Sequence, residues 1–179
     1  NDPTYQSDIQ YALDLINIQN AWRYTHGDPN VVVALIDTGV DFSHPELSDH
    51  IHPDAHTFLG QGTAQDENGH GTLAAGIIGA ATHNKLGMAG IASNVQILPI
   101  KVSPGNTRQS SASDEQLAPT YGFEEPIHYA ASPERKSTRV ININFATSID
   151  DVAEREAIAA ATQNGVLVVA ATGNTGQNR

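Results

Sequence analysis

The run Val31-Val32-Val33-Ala34-Leu35-Ile36, followed at once by Asp37-Thr38-Gly39, is β-branched and does not alternate with polar residues. An apolar run without alternation suits a strand buried on both faces, the usual condition of a parallel sheet. Three further runs have the same character: Val95–Ile100 (VQILPI), Arg139–Asn144 (RVININ) and Val166–Ala171 (VLVVAA). Helical stretches lie before and between them. Ile18–Thr25 ends near Gly27, His70–Ala81 is small and apolar, and Glu124–Ala131 precedes Pro133. Asp151–Asn164 is the plainest, with acids in its first turn and Gly165 as its stop. Strands alternating with helices predict an α/β fold: a doubly wound, mostly parallel sheet with helices on both faces. No internal repeat is present. Ser103–Thr120 (SPGNTRQSSASDEQLAPT) is polar and rich in Ser, Pro and Gly. It predicts a long surface loop within one domain over 1–179, because strand–helix patterning resumes after it.

Composition narrows the function. The 179 residues are 39% apolar and 16% charged, enough for one core and too little bias for disorder. Twenty acids against nine bases give a net charge of −11, most of it in the first 100 residues. That excludes a basic nucleic-acid footprint and opposes binding to an acidic membrane surface. No apolar run approaches the ~18 residues of a membrane span. The absence of cysteine excludes a disulfide scaffold, a thiolate zinc site and a cysteine nucleophile. The acids read as solvated surface, with some near the N-terminus open to a cation such as calcium. His50, His52 and His56 lie in HIHPDAH, where a zinc reading competes with a solvated surface turn. Pro53 and the loop context favour the turn.

In open parallel sheets, functional groups gather beyond the carboxyl ends of the strands. Asp37 follows the first run, and Thr172-Gly173-Asn174 follows the last. His70, in Asn68-Gly69-His70-Gly71-Thr72, stands at the mouth of the small-residue helix. An Asp, a His and an Asn are thereby expected on one rim. A hydroxyl nucleophile needs a neutral imidazole to take its proton, and that imidazole needs a carboxylate to fix its tautomer. The oxyanion formed on attack needs a preorganised donor, which an Asn amide supplies. The Asp-Thr-Gly string also suits an aspartic protease, but that chemistry pairs two such loops and this chain holds one.

The three boxes together resemble the subtilisin-like serine proteases, the subtilases, most nearly the thermitase type. The Asp box is VALIDTGVD (33–41) with Ser43-His44-Pro45-Glu46-Leu47 behind it. The His box is DENGHGTLAAG (66–76), and the oxyanion segment is VVAATGN (168–174). The resemblance implies a subtilisin-like fold and a serine endopeptidase acting on a polypeptide substrate. In it Asp37 is the triad acid, His70 the general base and Asn174 the oxyanion donor. It places Asn144, Phe145 and Ala146 on the substrate-lining strand. There Ala146 and Thr147 stand where the family has glycines, and Phe145 is expected to narrow the pocket for the side chain before the scissile bond. It implies a structural calcium held by Asp2, Glu46 and Asn84 with carbonyls of Ala81, Leu86 and Met88. Leu73, third after the base, is expected to pack against the helix.

One departure is larger. No Gly-Thr-Ser box occurs, and the sequence ends five residues after Asn174. The expectation is therefore the N-terminal portion of a catalytic domain, incomplete as it stands. Its serine comes from a C-terminal fragment, as in a nicked two-chain enzyme, or from a segment missing from a truncated chain. Without that part the sheet should expose apolar surface. The rival is a non-catalytic subtilase-fold binding or regulatory module. The resemblance further implies an inhibitory propeptide and a secreted or cell-surface location, with an intracellular one left open; the start at Asn1 reads as a mature or engineered N-terminus.

Overall fold

Five strands pair side by side in the computed structural model, which describes residues 2–7, 9–104, 122–146 and 150–173. They are β1 (Val32–Asp37), β2 (His56–Thr57), β3 (Gln96–Lys101), β4 (Thr138–Ile143) and β5 (Leu167–Ala170). All are parallel, in the order β2-β3-β1-β4-β5. The helices are α1 (Pro3–Gln6), α2 (Tyr11–Leu15), α3 (Ile18–Trp22), α4 (His70–Gly79), α5 (Glu124–Ala130) and α6 (Val152–Gln163).

Every residue of β1 is buried, because both faces of the strand are covered. Val32, Ala34 and Ile36 point into one core, against Ile127 and Ala130 of α5 and Ala157 and Ala161 of α6. Leu35 points the other way, to Ala75 of α4 with Val40, Leu47 and Ile97. This is the doubly wound arrangement that the non-alternating runs predict. The chain leaves β1 for one side, forms β2 and β3, then crosses to β4 and β5 on the other. The carboxyl end of β1 is thus a topological switch point, where open α/β sheets place their crevice.

The four expected strands appear within a residue or two of their runs. Helix α6 is capped as its sequence suggests: the Asp151 carboxylate accepts from the Ala153 N–H at 2.8 Å, and Gly165 follows at φ +79. Three short elements carry too few residues for a periodic signal: α1, α2 and β2. His56 lies in β2, at the surface as expected but in a strand and not a turn. It pairs with Ile100 of β3 and stacks on Tyr129 at 4.6 Å. Of the expected surface loop Ser103–Thr120, Ser103 is fully buried; residues 105–121 lie outside the described residues.

Strand β5 departs from the fully buried pattern. Leu167 and Val169 are 61% and 45% exposed, on the face of the sheet that α4 covers farther in. Leu73 and Ile77 of α4 are also exposed, 61% and 46%. Leu73 therefore does not find its expected cover among the described residues. Apolar side chains of α4 and β5 are thus left exposed on this face.

Candidate active site

Asp37 is the last residue of β1, fully buried at the switch point. Its Oδ1 accepts the Thr38 N–H at 2.7 Å and lies 2.7 Å from His70 Nδ1. An ionised carboxylate only accepts, so Nδ1 carries the proton and donates. His70 is the first residue of α4 and keeps about a third of its side chain exposed. Asn144, just beyond β4, donates from Nδ2 to the other Asp37 oxygen at 3.0 Å. Three elements thus converge on one carboxylate.

The approach of α4 to β1 depends on glycine. A Cβ on Gly71 would lie 2.0 Å from the Gly39 carbonyl oxygen and 3.0 Å from Asp37 Oδ1. Gly39 itself has φ +104, and a Cβ there would sit 2.3 Å from the Ala64 carbonyl oxygen. Only bare backbone at both positions lets the helix bring His70 within hydrogen-bond distance of Asp37.

Asp66 ties the two boxes together. Its carboxylate accepts from the Thr38 hydroxyl at 2.9 Å, and from the Asn68 and Gly69 N–H groups at 2.9 and 3.0 Å. The Thr72 N–H and hydroxyl donate at 3.0 and 2.6 Å. The Thr38 hydroxyl oxygen in turn accepts from the Gly71 N–H at 2.9 Å. Burial pushes the Asp66 carboxyl up. The Thr72 hydroxyl and the Gly69, Asn68 and Thr72 amides outweigh that and hold it below the usual aspartate range. Lys101 is buried opposite Asp37, and its ammonium donates to the Gln65 carbonyl at 2.7 Å, which draws the same loop inward. Neither role is visible in sequence, where an acid before Asn-Gly reads as an ordinary turn residue.

A cleft of about 370 Å³ opens beside the pair, lined by His70, Leu73, Ala74, Ile77, Asn142 and Asn144. Phe145 is buried, its ring 6.1 Å from both His70 and Phe123. Ala146 is exposed at the rim, where its Cβ would lie 3.2 Å from a Cβ on Gly173. Asn174 and Thr147 lie outside the described residues.

The expected cation residues also meet. Asp2 and Glu46 are buried, 1% and 4% exposed, with no salt bridge to either among the described residues. The Asp2 carboxylate accepts from the N–H groups of His83, Asn84 and Lys85. Glu46 Oε2 accepts from the Met88 N–H, and its Oε1 is buried without a hydrogen-bond partner. The loop thus turns backbone N–H groups to these two buried carboxylates, and the orphaned Glu46 Oε1 is the oxygen that a hard cation would suit. Asn84 turns its Oδ1 to the Leu86 N–H at 2.9 Å. His50, His52 and His56 do not gather: His50 ends a 3-10 turn, His52 Nδ1 accepts from the Asp54 N–H, and His56 stacks on Tyr129.

Comparison with known proteins agrees with this geometry. A profile described as "Subtilase family" matches residues 28–179. Thermitase of Thermoactinomyces vulgaris is 34% identical over 176 residues, covering 98% of this chain and 58% of that protein. The minor extracellular protease Epr of Bacillus subtilis (strain 168) is 31% identical over 170 residues, 95% of this chain and 24% of that protein. The crystal structure of MycP1 with its N-terminal propeptide removed superposes with a TM-score of 0.69 at 28% identity. That match covers 93% of this chain and 50% of the MycP1 chain. This chain therefore spans only part of each relative's length.

Proposed function

The chain belongs to the subtilase family, and from that premise we propose that it supplies the acid, the base and the oxyanion donor of a serine endopeptidase. The observation that carries the proposal is the 2.7 Å contact between His70 Nδ1 and a fully buried Asp37, at a switch point open to a cleft. With Nδ1–H held by Asp37, the other ring nitrogen is the base. It takes the proton of a serine hydroxyl as the oxygen attacks the peptide carbonyl carbon, and the carbonyl electron pair moves onto oxygen. Asn174 donates to that oxyanion. The imidazolium then returns its proton to the leaving amine as the C–N bond breaks, and water releases the acyl group by the same steps.

The serine belongs to a segment outside these 179 residues. The exposed apolar side chains of Leu73 and Ile77, which line the cleft with His70, and of Leu167 and Val169 on β5 support that assignment, since they lack cover among the described residues. Asp2, Glu46 and Asn84, with carbonyls of Ala81, Leu86 and Met88, would hold a calcium ion that fastens the N-terminal segment to the 81–88 loop. Asn144, Phe145 and Ala146 belong to the strand along which a polypeptide substrate lies. The relative Epr is an extracellular protease, which supports a secreted location, and the MycP1 structure had an N-terminal propeptide removed, which supports a propeptide here.

Ala146 favours a second reading. A methyl at the cleft rim, where the family resemblance places glycine, narrows the approach of a substrate backbone and suits a non-catalytic binding module. Peptide turnover by the full-length protein decides between them. The enzyme reading expects turnover that His70→Ala abolishes without lowering the melting temperature. A folded wild type without turnover selects the binding module.

A further inference from the structure

Asn144 sits at the first position beyond β4, where it lines the cleft and turns its amide to the acid. Nδ2 donates to Asp37 Oδ2 at 3.0 Å, while Oδ1 accepts from Asn142 Nδ2 at 2.9 Å. Asp37 Oδ1 is already engaged by the Thr38 N–H and His70 Nδ1. Asp37 is fully buried, so bulk water does not reach Oδ2, and a carboxylate oxygen left bare there is costly. The orientation of the amide is specified from both ends. Reversing it would set one oxygen against the Asp37 carboxylate and the Asn144 NH₂ against that of Asn142.

We propose that Asn144, aimed by Asn142, is a positioning residue for the triad acid: it fixes the Asp37 rotamer and shares its negative charge. The proposal rests on the triad reading above. A carboxylate that divides its charge between the imidazole and an amide holds the imidazolium less tightly than one facing the imidazole alone. Asn144 thereby keeps His70 in its neutral, proton-accepting form to lower pH. The charged groups around the pair are Asp66, reaching it through Thr38, and, on the same loop, Glu67. From β3 comes Lys101, whose ammonium is held by Gln65 and Glu67; β4 contributes here only the neutral Asn142 and Asn144.

The test uses the full-length protein. In Asn144→Ala, the acid limb of the kcat/KM profile should move up by about 0.5–1 pH unit. Plateau kcat should fall about 10-fold, as for a misplaced catalytic group, with KM little changed. Asn144→Ser, which keeps a donor, should recover part of both effects. Asn142→Ala should shift the profile in the same direction by less, and it carries the test if Asn144→Ala does not fold. A raised KM with an unmoved acid limb would give the side chain to substrate and overturn the proposal. The His70 Nδ1 proton resonance, followed through its titration, gives a second readout that needs no turnover. An inactive wild type whose His70 midpoint still rises in Asn144→Ala would overturn the peptidase reading and keep the coupling. An active wild type whose midpoint does not move would do the reverse.

Discussion

At the scale of single residues, Asp66 shows how a surface-loop acid becomes part of an active-site frame. Its carboxylate gathers donors from Thr38, Asn68, Gly69 and Thr72, and these hold its titration below the usual aspartate range. A carboxyl depressed in the folded state stabilises the fold above its unfolded value, near pH ~4. That contribution is lost as pH falls through the lower folded value. Asp66→Asn puts an NH₂ against N–H and O–H donors. Its melting temperature should lie about 3–6 °C below wild type near neutrality. The gap should begin to narrow as the pH falls below about 4, where the unfolded carboxyl takes up its proton, and close as the pH passes through the lower folded value. An equal gap at pH 3 and pH 7, measured by thermal melts, would contradict the role. Asp37 and His70 were legible in the sequence because each stands in a box whose order and neighbours are distinctive. Asp66 stands in the same box, but nothing in its type or spacing separates a five-fold acceptor from a turn residue. The job of Asn144 was less legible still, since contact with Asp37 depends on how β4 lies beside β1.

At the scale of elements, α4 is the part whose placement matters most. It carries the base on its first residue and must meet β1 at backbone distance. Gly71→Ala brings a methyl against the Gly39 carbonyl and the Asp37 side chain. Overpacking of this kind costs about 1–3 kcal/mol. Melts should show that loss, and peptide turnover should fall further than the melting curve explains, because the His70–Asp37 contact opens. Turnover equal to wild type would show that α4 accommodates the methyl by sliding without effect on the pair. The strands β1, β3, β4 and β5 were readable because each holds a short β-branched, mostly apolar run. Strand β2 was not, because two residues have no period and exposed His56 is placed by its pairing with Ile100 and its stacking on Tyr129. The exposure of β5 was not readable from its own residues either, since Leu167 and Val169 are as apolar as a covered strand requires.

At the scale of the whole molecule, two features describe how the chain is held together: the stapled N-terminus and the uncovered apolar side chains of α4 and β5. Asp2 and Glu46 bury two carboxylates against the 83–88 loop. An ion bound there and not by the unfolded chain raises stability with its free concentration. Chelation should lower the melting temperature of the wild type and leave Glu46→Ala, already deprived of a ligand, nearly unmoved. A wild-type melt indifferent to chelator and to added calcium would reject the ion. The uncovered apolar side chains pose the larger question, because Leu73 and Ile77 line the cleft with His70, the proposed base. The measurement that tests this most directly is labelling of the full-length protein with a serine-directed fluorophosphonate, followed by mapping of the modified residue. The expected result is one labelled serine outside residues 1–179, with labelling lost in His70→Ala at an unchanged melting temperature. Labelling that persists undiminished in folded His70→Ala, or a folded wild type that takes no label, would contradict the account.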